Sequence, residues 1–515
     1  MLKKYLLSLI FIFFLIQQSS FAVEDSKTET TENLSTGIID NSLNFEEFIN
    51  ESNILSLQIS AMDDFQNAVD KFKQSNIEVA YDEFKNILNS AKINDFGYVL
   101  MANKFAEYGF FDLSELAIKK MSDKEIVSKH SEDLKKFFYP SKELTPKNEI
   151  YLAEMYANII YNDQSKESLD DLLKQKDLLK NSDYANYMLA LAAYKSNNNN
   201  LAKQYINNAV SKNQDNVNYK ILQAQILADG SNPNSALKVV ENLKKQNISV
   251  TEFKRRINSI EQYVLYKNAQ KDWLKNYHLG YYYFYQAEYN KSIRALQNAL
   301  GKNKSNNAKI NALLSKVYFT MNDYDRAKDY AQKAIKKNKY LAESRMISGK
   351  LNYRNGNYDE ALKDFEISKK DKTLNFESQI KIAEVYSKKN DIKKSNEIYE
   401  NLNKSSKISD EGYYSIATVG KLDTENNLKK ALGINIKYTN AWLELANNEI
   451  KKNNFGVAHD YLSSVYYIDK NDYRYYYYQG LIYKYKNDTQ IAELYFQKCL
   501  QLNPKFTEVK KELKI

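Results

Sequence analysis

Residues 473–506 read YRYYYYQGLIYKYKNDTQIAELYFQKCLQLNPKF, and the placing of small and aromatic residues in that stretch decides the architecture. Gly480 is followed by Tyr483, and Ala492 by Phe496, with Pro504 closing the segment. One register earlier, residues 439–472 repeat the arrangement with Trp442, Leu445, Ala446, Phe455 and Ala458. A return at a period of about 34 residues marks a stack of like supersecondary units, since one such unit cannot bury its own apolar face.

The pattern resembles the tetratricopeptide repeat family, a helix–turn–helix unit of about 34 residues. The resemblance implies small residues at unit positions 8, 20 and 27, and bulky apolar ones near 4, 7, 11 and 24. With units starting at 273, 308, 342, 376, 439 and 473, position 8 reads Gly280, Ser315, Gly349, Ala383, Ala446 and Gly480. Position 20 reads Ser292, Ala327, Ala361, Ser395, Ala458 and Ala492. Position 11 supplies Tyr283, Tyr318, Tyr386 and Tyr483, and position 24 supplies Leu296, Phe365, Tyr399 and Phe496. Units at 61, 95, 183 and 217 follow more loosely, with Ala68 and Ala80, Ala102, Ala190 and Ala202, then Ala224 and Ala236. The implied fold is all-α: an α-solenoid of tandem helix–turn–helix repeats wound as a right-handed superhelix.

The small residues have a physical reason. Where the two helices of a hairpin cross closely, only Gly, Ala or Ser leaves room, and a larger side chain overpacks by about 1–3 kcal/mol. The aromatic residues fill the spaces between hairpins, so most of the 43 tyrosines are structural.

The expected organisation begins with an export signal at 1–22. Lys3 and Lys4 start it, Leu6 to Ile16 form its apolar stretch, and Ser20-Phe21-Ala22 is a small-x-small cleavage site. Eleven residues rise only about 16 Å as a helix, short of a bilayer core of roughly 30 Å, so cleavage is expected rather than stable membrane insertion. A polar, disordered leading segment with some helix follows at 23–60, then repeat units at 61–128. A stretch holding Pro140 and Pro146, 129–146, is expected to break the stack. Repeat-like units occupy 147–250, a connecting helix 251–272, and the main array 273–506 with a short degenerate unit at 410–438. Residues 507–515 form the capping helix. The location this implies is periplasmic or secreted, in a bacterium.

Length and composition agree. At 515 residues the chain exceeds one compact core, and its 13 glycines and 4 prolines provide too few turns for a strand-rich fold. Residues 273–515 carry a balance of +14 and the remainder −5, within the total of +9. A basic C-terminal half favours an acidic partner or an anionic surface; solvated faces of a lysine-rich chain give the same count. Cys499 is the only cysteine, so no internal disulfide forms, and its helix position calls for a small apolar side chain.

Catalysis requires titratable groups that converge. His130, His278 and His459 fall in different units, no metal-ligand spacing occurs, and no phosphate-binding glycine loop is present. The pairs Asp63-Asp64, Glu46-Glu47 and Asp170-Asp171 sit side by side on presumed helices and point about 100° apart. The expectation is a protein without enzymatic activity, cofactor or metal.

The resemblance implies that positions 2, 5, 9, 12 and 13 of each first helix face a concave groove. Carried onto this sequence, they give Tyr277, Tyr281, Phe284 and Tyr285, then Lys309, Lys316 and Phe319, then Lys350, Tyr353 and Arg354. The remaining units add Lys388, Lys451, Arg474, Tyr477, Lys484 and Tyr485. The family's chaperone-tail clamp is incomplete, since Asn447 has Leu443 at the position where the clamp needs lysine. A groove of cations and aromatics suits an extended acidic protein segment or peptide, or an anionic glycan; a Lys- and Tyr-rich surface of any kind shows the same residues. Export argues against nucleic acid. The expected function is an exported scaffold or adaptor for another envelope protein; the alternative is an adaptor for export or assembly of an anionic cell-surface polysaccharide.

Overall fold

The computed structural model describes residues 53–90, 93–246, 248, 251–303, 307–404 and 408–513. The expected signal at 1–22 and most of the leading segment lie outside the described residues. Among the described residues the chain forms twenty-eight helices and no strand.

Most helices pair as antiparallel hairpins. The first are α1 (Asn53–Lys73) with α2 (Ile77–Ser90) and α3 (Asp95–Tyr108) with α4 (Phe111–Lys120). After α5 (Lys124–Phe137) come α6 (Pro146–Ile160), α7 (Ser165–Lys174) and the short α8 (Lys176–Asn181). Two further hairpins follow, α9 (Asp183–Lys195) with α10 (Asn199–Lys212), and α11 (Val217–Asp229) with α12 (Asn234–Lys245). The single helix α13 (Thr251–Asn268) leads into α14 (Asp272–Tyr285), α15 (Tyr289–Lys302), α16 (Ala308–Thr320), α17 (Tyr324–Lys337), α18 (Ala342–Arg354) and α19 (Tyr358–Ser368). Then come α20 (Asn375–Lys388), α21 (Ile392–Asn403), α22 (Asp410–Thr418), α23 (Thr424–Ile434), α24 (Thr439–Lys451), α25 (Phe455–Ile468), α26 (Tyr473–Tyr485), α27 (Thr489–Leu502) and α28 (Thr507–Leu513).

The register read from the sequence is visible atom by atom at the helix crossings. A Cβ built on Gly480 would stand 2.4 Å from Phe496 Cε1, one on Gly349 2.6 Å from Phe365 Cε1, and one on Gly280 2.5 Å from Leu296 Cδ2. Positions 8 and 24 of three units therefore touch. Where serine replaces glycine or alanine, its hydroxyl bonds the facing backbone. Ser315 Oγ donates to the Ala327 carbonyl at 2.8 Å, Ser292 Oγ to Gly280 at 2.7 Å, and Ser395 Oγ to Ala383 at 2.9 Å. The same bond recurs in the looser N-terminal half, from Ser114 Oγ to Ala102 at 2.9 Å, which fixes the unit starting at 95.

The turns are just as regular. Position 15 adopts a left-handed backbone in unit after unit: Ser75, Gly109, Asn197, Ala287, Asn322, Gly356, Asn390, Asn453 and Asn487 all have positive φ. Glycine and asparagine tolerate this conformation. The next residue often caps the second helix: Asp323, Asp391 and Asp488 each accept a hydrogen bond from the backbone N–H three residues on.

One expectation needs correction. The stretch 129–146 is helical up to Phe137, so α5 fills its first part and only 138–145 forms a turn. Neither proline interrupts a helix: Pro140 lies in the turn and Pro146 opens α6, where its missing N–H costs nothing. The turn is pinned by Asp183, which accepts from Ser141 N at 2.8 Å, and by Asn216, which donates to the Tyr139 carbonyl at 3.2 Å.

The N-terminal helices meet the C-terminal ones. α5 packs on α23 and α1 on α25, and a shared core joins Phe96, Val99 and Ile126 to Leu428, Leu432, Trp442 and Leu462. Phe96 sits edge-on to Trp442 with ring centres 6.3 Å apart. Lys429 pairs with Asp123 at 2.9 Å, and His130 Nε2 lies 3.3 Å from the Leu432 carbonyl. α5 also holds α13, through Phe137 stacked on Phe253 at 4.6 Å. The repeats thus form a closed body rather than an open arc.

Candidate functional site

The helix α14 reads DWLKNYHLGYYYFY and places Tyr277, Tyr281 and Tyr285 at successive i, i+4 positions along one face. Tyr277 meets Tyr281 edge-on at 5.3 Å, and Tyr281 stacks on Tyr285 at 6.0 Å. Tyr281 Oη donates to Glu343 Oε1 at 3.0 Å. That bond runs from α14 to α18, past the intervening unit. Successive first helices pack more closely on one another than successive second helices do, so the first helices form the inner wall of the curve.

Cations bridge neighbouring units on this wall. Lys316 Nζ lies 5.2 Å from the centre of the Phe284 ring, and Lys350 Nζ 5.7 Å from that of Phe319. Both are position 9 of one unit over position 12 of the unit before it. Arg354 lies 4.1 Å over Tyr324. Each is a cation–π contact at an inter-unit seam. Tyr353 meets Tyr358 at 5.8 Å instead.

Burial sets the electrostatics. It raises the Tyr277 and Tyr281 hydroxyls above their ordinary range, with Glu343 adding to the effect, and pushes Tyr285 up to about 12. These hydroxyls are neutral donors near neutral pH. Burial works against the Lys381 ammonium, but Glu384 and Glu411 outweigh it and hold the group above its usual value.

The structure assembles part of the expected set. Tyr277, Tyr281, Phe284, Tyr285, Lys316, Phe319, Lys350, Tyr353 and Arg354 share one continuous wall from α14 to α18. Tyr281, however, is only 8% exposed and belongs as much to the core as to the surface. Lys388 and Lys451 are exposed at the ends of α20 and α24, and Tyr485 is 57% exposed at the end of α26. Others are engaged elsewhere. Arg474 binds Asp472 through Nε at 2.8 Å and Asn440 through Nη1 at 2.6 Å. Lys484 pairs with Glu512 at 2.5 Å, and Tyr477 packs edge-on against Phe506 at 5.2 Å, so both serve the C-terminal cap.

The wall also carries acids that the sequence reading passed over. Lys350 pairs with Glu377 at 2.5 Å, and Lys381 with Glu384 at 3.1 Å and Glu411 at 2.6 Å. Glu343 and Glu377 occupy position 2 and Glu384 position 9, the repeat positions used to pick out the cations. Reading both signs at those positions would have found them. The wall is an alternation of charges around aromatic rings.

The histidines stay apart: His130 lies at the closure, His278 Nδ1 is 2.9 Å from Gln262 Oε1, and His459 faces the Tyr483 ring at 6.1 Å. Among the described residues no group of three or more His, Cys, Asp or Glu side chains is placed to hold a metal ion. Cys499 is buried, and burial pushes its thiol up to about 12.

Two sequence profiles, each described as a tetratricopeptide repeat, match residues 312–371 and 473–506. No curated protein matches the chain. Among solved structures, the APC/C hetero-tetramer Cut9–Hcn1 is similar at 14% identity and a TM-score of 0.44, over 87% of this chain and 94% of that one. YrrB, titled a TPR protein with an unusual peptide-binding site, aligns at 19% identity over 36% of this chain and 98% of its own, with a TM-score of 0.27. A Pseudomonas aeruginosa pilF structure aligns at 18% identity over 46% of this chain and 95% of its own, with a TM-score of 0.29. These likenesses carry no argument about function.

Proposed function

The chain is a tetratricopeptide-repeat protein of many repeats, and from that premise we propose that it is a non-enzymatic, exported scaffold. Its wall from α14 to α18 holds an extended segment of another envelope protein. The observation that carries this reading is the run of Tyr277, Tyr281 and Tyr285 beside the seams Lys316–Phe284, Lys350–Phe319 and Arg354–Tyr324. Ring faces supply apolar area at low entropic cost, and the hydroxyls of Tyr277 and Tyr285 supply donors for a peptide backbone. Among the described residues Lys316 and Arg354 make no ion pair, which leaves them for acidic side chains of the partner. A long polyanionic glycan fits the wall less well, because Glu343 and Glu377 would face its charges. The exported location rests on residues 3–22 of the sequence.

The test is a triple substitution, Tyr277→Ala with Tyr285→Ala and Arg354→Ala, which leaves the buried Tyr281 in place. Capture of the native envelope partner should drop at least about 10-fold while the helical circular-dichroism signal is kept. Capture should also persist at about 0.15 M ionic strength, where exposed charges are screened beyond roughly 8 Å. Unchanged capture by the triple variant overturns the assignment of this wall. Sequencing the mature N-terminus tests the export signal, with Val23 expected as the first residue.

A further inference from the structure

We propose that one edge of the main array docks on an anionic lipid surface. This is a second surface, independent of the wall proposed to hold a protein segment. The edge consists of the ends of α15, α17 and α19 with the turns that follow. It carries Lys302, Lys336, Lys337, Lys339, Lys369, Lys370 and Lys372 against Glu366 and Asp371. Lys302 pairs with Asp272 and Lys369 with Glu366, each at 2.9 Å, which leaves five lysines. The opposite edge, at 286–290, 320–326 and 354–360, carries Glu288, Asp323, Asp325, Asp359 and Glu360 against Arg326 and Arg354. A lysine-rich composition would favour neither edge. Attraction to helix C-termini accounts for lysines in a last turn. Lys339, Lys370 and Lys372 lie beyond the helix ends.

Local geometry keeps the other five charges available. Lys336, Lys337, Lys339, Lys370 and Lys372 are exposed, and among the described residues none makes an ion pair. Asp371 is occupied by Thr373, whose N–H donates to it at 2.8 Å and whose hydroxyl does so at 2.6 Å. Tyr340 is 63% exposed at the tip of the turn after α17, with Lys339 Nζ 4.9 Å from its ring centre. The turn is fixed in place. Arg345 Nε donates to the Lys339 carbonyl at 2.7 Å while Nη1 grips the buried Asp364 at 2.7 Å.

An amphipathic aromatic held beside several lysines on projecting turns is the chemistry of a headgroup layer, where each lysine is drawn to anionic lipid and tyrosine settles at the interface. Loop tips that project meet a flat surface better than a single strand, which a cleft would hold. No described helix is long and apolar enough to cross a membrane.

Vesicle flotation of the full chain tests this, with phosphatidylcholine vesicles either containing phosphatidylglycerol or made of phosphatidylcholine alone. The protein should float only with the anionic vesicles. Lys336→Glu, Lys337→Glu, Lys370→Glu and Lys372→Glu together should weaken partitioning at least about 10-fold, and Tyr340→Ala should weaken it further. A control of equal charge change, Lys85→Glu with Lys142→Glu, Lys203→Glu and Lys393→Glu, should float like the unmodified chain. Equal loss in the control variant would reduce the effect to bulk attraction and overturn the proposal. Absence of flotation, or binding of soluble polyglutamate at this edge in preference to vesicles, overturns it as well.

Discussion

Asn94 and Ser464 are joined by a hydrogen bond of 2.9 Å, although 370 residues separate them. The same amide nitrogen lies 3.0 Å from both the Asp460 carbonyl and Ser463 Oγ, so its two N–H groups are shared among three acceptors. Its oxygen accepts from Gly97 N at 3.0 Å and so caps α3. One side chain both starts a helix and closes the chain on itself. Asn94→Ala should therefore cost about 2–3 kcal/mol, more than the roughly 1 kcal/mol of a lost cap alone. Asn94→Asp retains the cap but presents a carboxylate to the Asp460 carbonyl. Denaturant midpoints of both variants, with hydrogen exchange across α25, check this. Exchange in α25 that is unaltered by either variant would mean the closure does not depend on Asn94.

The Gly480–Phe496 contact makes the register a quantitative claim. Gly480→Ala should destabilise by about 1–3 kcal/mol through overpacking, since the new methyl would meet an aromatic ring at 2.4 Å. Gly456→Ala should have the opposite sign, because a Cβ there meets nothing within 4 Å and Gly456 lies within a helix. A gain of up to about 1 kcal/mol is expected from relieving a helical glycine. Thermal melts of the two variants suffice, and equal shifts would show the register to be misplaced.

Ala287 is the weak member of the turn series. It holds φ at 58° where most other units use asparagine or glycine. A left-handed alanine costs roughly 1–2 kcal/mol, so Ala287→Asn should stabilise by about 0.5–1 kcal/mol. A lowered melting temperature would contradict this.

Acid should loosen the closure. Burial lowers His130 to about 4, with Lys129 acting in the same direction and Asp133 and the Leu432 carbonyl opposing it. Unfolded histidine titrates near 6.5, so between about pH 6.5 and 4 the unfolded chain binds a proton that the folded chain does not. Stability should fall as pH falls through that window, by about 1–3 kcal/mol from this residue. His130→Gln should flatten that part of the profile in urea titrations at about pH 7 and 4.5. Parallel profiles for the two proteins would remove His130 from the account.

How much of this was legible beforehand depended on whether the signal was local. Gly280, Gly349 and Gly480 identify the crossing because a helix interior rarely keeps glycine unless another backbone or ring stands against it. Asn322, Asn390, Asn453 and Asn487 recur at one repeat position and carry a turn signal just as plain. The closure was not legible. Phe96, Ile126, Leu432 and Trp442 look like ordinary core positions of their own hairpins, and no periodicity tells which distant units meet. The candidate wall was half legible: position marked its cations and rings, but only coordinates showed that Tyr281 is buried against Glu343 and that Arg474 and Lys484 are already paired.

Site-specific photo-crosslinking in living cells tests the functional account most directly, with a benzophenone amino acid placed at Tyr285 on the inner wall or at the exposed Lys328 on α17. The account predicts a discrete crosslinked partner from position 285 that is absent from position 328. A partner trapped from 328 and never from 285 would contradict it.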